Sequence, residues 1–336
     1  MTTRAKELIV VAAILVFALI FYIGKTSGWE PTEFSTGVSL VVVAVLLISL
    51  AWILVLTIRG RLIERRIVFL YVGIAVAVPL FMKLSQEMPV SPAVQGVYDA
   101  VMELQPGAKV LIACDYDPPT APELQPMAET FMRICFKRDL KIIIMGLWPQ
   151  GPQQANLALE KILAEPDIAS KNLQYGVDYV NLGFQAGNEF VIQRMGGSFK
   201  SMFRTDYGGI AYDELPLVKN IKNFSNIDYC FNLSSGFPGT VEWVQIAVDR
   251  YGVVLGAGNT AVQAPTVYPY LSSGQMTGLL GGMSGAAEFE RAADARGKGT
   301  KYMLSQSVSH IVVIAFVLIG NVAFIMSGRK SALKGE

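Results

Sequence analysis

Hydrophobic positions in this chain follow two different rhythms. Toward the two ends they form long blocks without internal charge: ELIVVAAILVFALIFYIG (7–24), GVSLVVVAVLLISLAWILVLTI (37–58), IVFLYVGIAVAVPLFM (67–82) and HIVVIAFVLIGNVAFIMSG (310–328). At about 1.5 Å per helical residue, the second and fourth can cross ~30 Å of hydrocarbon. The first and third are slightly shorter and use Tyr22 and Lys83 at their interfacial ends. The pattern predicts a four-helix transmembrane anchor. Three spans (about 7–24, 37–58 and 67–83) occupy residues 1–84, and one more, with a basic tail, occupies 306–336. The exit of the first block, FYIGKTSGW, contains no small-x-small cleavage site, so that block is expected to stay attached rather than leave as a signal peptide.

Between the blocks, in 85–305, short apolar runs alternate with amphipathic stretches. KVLIACDY (109–116), LKIIIMGLW (140–148), VDYVNLGF (177–184), IDYCFNLSS (227–235) and VVLGAGNT (253–260) predict buried strands. Helical spacing covers the residues up to Leu104, ELQPMAETFMRICFKRD, QQANLALEKILAE and TVEWVQIAVDRYG. Continuous apolar strands alternating with helices indicate an α/β domain, a Rossmann-like doubly wound, mostly parallel sheet covered on both faces. Two segments break the alternation. Residues 185–224 far exceed the usual ~2–6-residue connection, so a short helix plus an excursion over the sheet is expected there. In 265–297 the run GLLGGMSGAAEFERAADA has helical spacing. It predicts a tightly packed helix with Gly278, Gly281, Gly282 and Gly285 on one side, a candidate oligomer interface or, as the alternative, a close contact with the domain's own sheet.

Composition agrees with a membrane protein, at 52% hydrophobic and 16% charged residues. Charge adds an orientation. Arg4, Lys6, Arg59, Arg61, Arg65, Arg66, Arg329, Lys330 and Lys334 all fall on one side of a four-span arrangement. The positive-inside rule puts that side, with both termini, in the cytoplasm and the soluble domain outside. That domain carries 22 acidic and 17 basic residues, a balance that disfavours nucleic acid as a partner. Cys114, Cys135 and Cys230 sit at a strand end, in a helix and in a strand, as buried small hydrophobes rather than a disulfide framework.

Chemistry is expected at the carboxyl ends of the strands, where open parallel sheets bind ligands. The polar groups there are Asp115, Asp117, Trp148, Asn181, Ser234, Ser235, Asn259 and Thr260. SSGFPGT lacks the lysine of a phosphate-binding loop, and GAGNT is no GxGxxG fingerprint. Asp115 and Asp117 resemble the acidic pair that holds magnesium in strand-end phosphotransfer sites, but no lysine or third carboxylate stands at the neighbouring strand ends. Asp before Pro-Pro is also a turn initiator, so the pair is expected to shape a turn or polar pocket. The single histidine, His310, lies at the edge of the last block, which excludes a histidine-dependent hydrolase or histidine metal site in the domain. Asn321, alone in its span, serves helix contact better than transport.

APELQPMAETFMRIC, YGVDYVNLGF, SSGFPGTVEWVQ and YPYLSSGQMTGLLGGMSGAAEFE together resemble an uncharacterised family of prokaryotic membrane-anchored α/β proteins, over roughly residues 90–290. The resemblance implies an envelope setting and brings no activity or site residue with it. The expected role is non-enzymatic: assembly into a homo- or hetero-oligomer at the membrane surface, with the lipid bilayer, copies of the chain or other membrane proteins as partners and no cofactor. A module that senses a small polar ligand at the strand ends is the alternative. A metal-dependent enzyme using Asp115 and Asp117 comes third.

Overall fold

The structure, a computed structural model, describes residues 36–59, 64–82, 88–295 and 297–333. The first expected span, 7–24, lies outside them. The chain divides into two compact units: Ser85–Gln306, and Met1–Leu84 together with Ser307–Glu336.

The first unit is built on a six-stranded sheet in the order β3-β2-β1-β4-β5-β6, with every neighbouring pair parallel. Its strands are β1 (Lys109–Asp115), β2 (Lys141–Gly146), β3 (Tyr179–Phe184), β4 (Tyr229–Ser234), β5 (Leu255–Asn259) and β6 (Gly278–Gly281). This is the strand order of doubly wound folds, with the switch point between β1 and β4. Alternation along each strand feeds two cores. Leu111, Ala113, Ile143 and Met145 pack on one face against Trp243 and Phe224. Val110, Ile112, Ile142 and Ile144 pack on the other with Met127, Phe131 and Phe289. Burial on both faces explains why these strands are apolar without interruption.

The helix Ala121–Lys137 shows how local sequence serves that core. Leu124, Met127, Ala128, Phe131, Met132 and Cys135 recur at three- and four-residue spacing and are fully buried. Phe131 stacks on Phe231 of β4 with ring centroids 4.1 Å apart. Asp139, at φ 59°, turns the chain out of this helix into β2. The 185–224 excursion holds the helix Glu189–Gly197 and short turns at Phe199–Met202 and Tyr212–Glu214.

The segment expected as one glycine-faced helix folds differently. Gly278–Gly281 is the sixth strand, paired from Gly256↔Gly278 to Asn259↔Gly281, and the helix starts only at Gly282–Ala292. Gly282 breaks the periodicity because it sits at φ 59°, a left-handed conformation costly for other residues. A Cβ on Gly278 would lie 2.3 Å from the Ala93 carbonyl oxygen, in the helix Pro92–Glu103. One on Gly285 would lie 2.8 Å from the Leu280 backbone, and one on Gly282 2.7 Å from the Ala261 side chain. The four glycines therefore do not line one helix face, since only Gly282 and Gly285 are helical, and the close approaches they permit are to the domain's own elements.

In the second unit, Thr36–Ile58 and Arg65–Ala77 are helices, the latter continued by a 3-10 turn, Val78–Phe81. Leu50, Ala75 and Val312 form a small apolar cluster, and Tyr71 meets Phe316 edge-on at 5.7 Å. Among the described residues one helix, over Lys298–Ile325, is long and apolar enough to cross a membrane, and Val41–Thr57 is a shorter apolar stretch.

That long helix, Lys298–Leu333, begins well before the apolar block at 310. Its start is fixed by Glu290, buried on the preceding helix. The carboxylate accepts from the backbone N–H groups of Gly297 (3.0 Å), Gly299 (2.8 Å) and Thr300 (2.8 Å), and from the Thr300 hydroxyl (2.6 Å). It satisfies donors that a helix start leaves open and places negative charge against the positive end of the helix dipole. Glu290→Ala should orphan these donors at a cost of about 2 kcal/mol. Hydrogen exchange of the 297–301 amides should then run roughly thirtyfold faster, with the β1 and β4 amides unchanged. Unaltered exchange at 297–301 would show that the clasp contributes nothing.

Candidate functional site at the strand carboxyl ends

Asp115 ends β1 directly beside Ser234, the last residue of β4, so both stand at the switch point. The Asp115 side chain is fully buried on the Trp243 side of the sheet. Its Oδ1 accepts from the Leu147 N–H at 2.7 Å, and its Oδ2 accepts from Asn232 Nδ2 at 2.7 Å and Trp243 Nε1 at 2.9 Å. The network continues sideways: Thr240 Oγ1 donates to Asn232 Oδ1 at 2.6 Å, and Asn259 Nδ2 donates to Thr240 Oγ1 at 3.0 Å. One buried chain of hydrogen bonds thus ties β5, β4, β1 and the end of β2 to the crossover after β4.

That crossover runs as a helical turn Thr240–Glu242, a π-helix Trp243–Val248 and a last turn Asp249–Tyr251. The π-helix, a form that recurs at functional sites, begins at the tryptophan that donates to Asp115. Burial pushes the Asp115 carboxyl up to about 7, against the three donors that pull it down, and Glu242 adds to the rise. Burial likewise lifts the Cys114 and Cys230 thiols well above their usual range, so neither supplies a thiolate nucleophile at neutral pH.

The remaining expected site residues are spread around this network. Asp117 accepts from the Thr120 hydroxyl at 3.0 Å, and its carbonyl accepts the Thr120 N–H at 3.2 Å, closing the turn into Pro118–Thr120. Trp148 donates to the Pro238 carbonyl at 2.9 Å. Ser234 donates to the Gly236 carbonyl at 3.1 Å, and its own carbonyl takes the Thr260 N–H at 3.3 Å. The Ser235 hydroxyl is buried without a partner. Asn181 lies on the opposite face of the sheet, where it donates to the Pro152 carbonyl (3.0 Å) and Asn156 Oδ1 (2.7 Å). The structure therefore brings Asp115, Ser234, Ser235, Trp148, Asn259 and Thr260 to one edge and leaves Asn181 apart.

Three members were missed in the sequence: Asn232, Thr240 and Trp243. Strand alternation could have found Asn232, two residues before Ser234 on the same face.

No family model, curated protein or solved structure matches this chain. The site's chemistry rests on its geometry alone. Among the described residues no group of three or more His, Cys, Asp or Glu side chains is placed to hold a metal. Asp115 and Asp117 do not converge, because one faces inward with three donors and the other closes a turn. In doubly wound folds that bind dinucleotides, the first strand–helix turn offers backbone N–H groups to the pyrophosphate. Here that turn is Asp115-Tyr116-Asp117-Pro118-Pro119-Thr120-Ala121-Pro122, and its three prolines have no N–H to offer.

This edge also presents apolar side chains to solvent. Val262 is 85% exposed and Phe237 64% exposed, with Pro118, Pro119 and Pro149 also at the surface.

Proposed function

We propose that this chain is a non-enzymatic, membrane-anchored assembly protein whose α/β domain binds copies of itself or other membrane proteins at the membrane surface. The observation that carries this reading is the fate of the strand-end polar groups. Asp115, Asn232, Thr240 and Asn259 are consumed in hydrogen bonds to one another, while the rim around them exposes apolar side chains. A catalytic site needs polar groups aimed at a substrate, and an interaction surface needs exposed apolar anchors. The proposal includes the four-span anchor, three spans before the domain and one after, with the nine cations of the short segments in the cytoplasm and the domain outside.

A second reading, a small polar ligand held at the switch point, draws support from the unpartnered Ser235 hydroxyl beside Asp115.

Purification in mild detergent with native mass determination tests the first reading. A mass of two or more chains, or a stoichiometric co-purifying membrane protein, is the expected result. A strictly monomeric chain at high concentration, with no partner, would overturn it.

A further inference from the structure

The loops at the carboxyl ends of β1, β2, β4 and β5 share an unusual charge content. Residues 116–123, 147–153, 235–245 and 260–272 contain no Lys, Arg or His, and their charged side chains are Asp117, Glu123 and Glu242. Each of the three carboxylates is at least partly exposed. The loops form one continuous surface. Trp148 of the β2 loop donates to Pro238 of the β4 loop, and its ring lies 3.2 Å from where a Gly236 side chain would begin. Gln263 of the β5 loop lies 3.8 Å from that same point. Glu123, following β1, accepts the Ala261 N–H of the β5 loop at 2.7 Å. Phe237, Val262 and the Pro118-Pro119 pair stand out from this surface, and carboxylates flank them.

We infer that this face is the docking site for a cationic amphipathic segment of a partner protein, its apolar side chains on Phe237, Val262 and the prolines and its Lys or Arg side chains toward Asp117, Glu123 and Glu242. The inference rests on the assembly reading and gives it a partner chemistry. Charge complementarity decides the occupant: a surface with three carboxylates and no cation repels phosphate groups, anionic lipid headgroups and acidic peptides, and it steers a basic one. Exposed apolar anchors supply the contact that charge alone does not hold.

The test uses the full chain in zwitterionic-lipid nanodiscs, with empty nanodiscs as the control. The probes are two amphipathic helical peptides of about 18 residues, one of Leu and Lys and one of Leu and Glu. The Leu/Lys peptide should bind well above the empty disc, weaken as salt rises, and exceed the Leu/Glu peptide at least tenfold. Phe237→Lys with Val262→Lys, both at exposed positions, should lose at least tenfold in affinity, whereas Leu157→Lys, on an exposed face elsewhere in the domain, should bind as the wild type does. Binding no greater than to empty discs, equal binding of the two peptides, or wild-type affinity in the double variant would each overturn the inference. If any of these occurs while the native mass still shows a complex, the partner chemistry is wrong and the assembly reading stands. A wild type that is monomeric and without a partner removes both.

Discussion

Asp115→Asn should abolish a fall of about 4 kcal/mol in domain stability that the wild type undergoes as pH rises from about 4 to about 7. Unfolded, the Asp115 carboxyl ionises near its ordinary value of 3.8, whereas burial holds it near 7 in the fold. Between those values the native state keeps a proton that the unfolded chain has released. The stabilisation from this group is therefore complete below the unfolded value and lost as pH climbs through the folded one. Asparagine does not titrate. It does turn an NH2 toward one of the three donors, Leu147 N–H or the Asn232–Trp243 pair, and that mismatch costs about 1–3 kcal/mol at every pH. The variant should be clearly less stable than wild type at pH 5, and the gap should close or reverse at pH 8. Denaturation of both proteins across that range, in one detergent, measures it. Parallel curves would mean that Asp115 is already ionised throughout, held so by its donors.

Gly278→Leu should unfold the α/β domain rather than merely dissociate a complex. A side chain there would start 2.3 Å from the Ala93 carbonyl oxygen and 2.5 Å from the Val97 N, both backbone atoms of the helix Pro92–Glu103. Gly96 is the reciprocal case, where a Cβ would lie 2.1 Å from the Thr277 carbonyl oxygen. Backbone cannot rotate away as a side chain can. The helix must lift off β6, exposing Val94, Val97 and Val101 from the core, at about 2 kcal/mol or more for each valine. Gly281→Ala meets only the Ala264 methyl, at 3.3 Å, and should fold. Circular dichroism and limited proteolysis separate these outcomes. A folded Gly278→Leu domain that has lost only its partners would restore the glycines to an intermolecular role.

The contrast between those two residues shows where sequence pattern was informative. Strands such as Ile142-Ile143-Ile144 were legible because burial on both faces imposes a short apolar run, and its β-branched residues favour a strand over a buried helix. Asp117 was legible as a turn because the prolines after it restrict the backbone locally. Gly278–Gly281 was not. Two leucines between glycines have little intrinsic strand preference, and pairing with β5 and cover from the 92–103 helix make it a strand.

The Asp115 network was out of reach for a related reason. Its donors Asn232 and Trp243 lie 117 and 128 residues along the chain, and only the sheet order brings them to β1. Asn181, inside β3, and Asp115, at the end of β1, both interrupt apolar strand runs, and the pleat places them on opposite faces.

The helix Gly282–Ala292 holds both places where the chain enters and leaves the domain. Glu288 accepts the Ser91 N–H at 2.9 Å, and Glu290 accepts the donors of residues 297–300. Tension between the two connections therefore has a short path through one turn of one helix, in parallel with the packing of the 92–103 helix on β6. Pulled by residues 91 and 297, the domain should yield first where these carboxylate clasps and that helix are sheared, before the central strands separate.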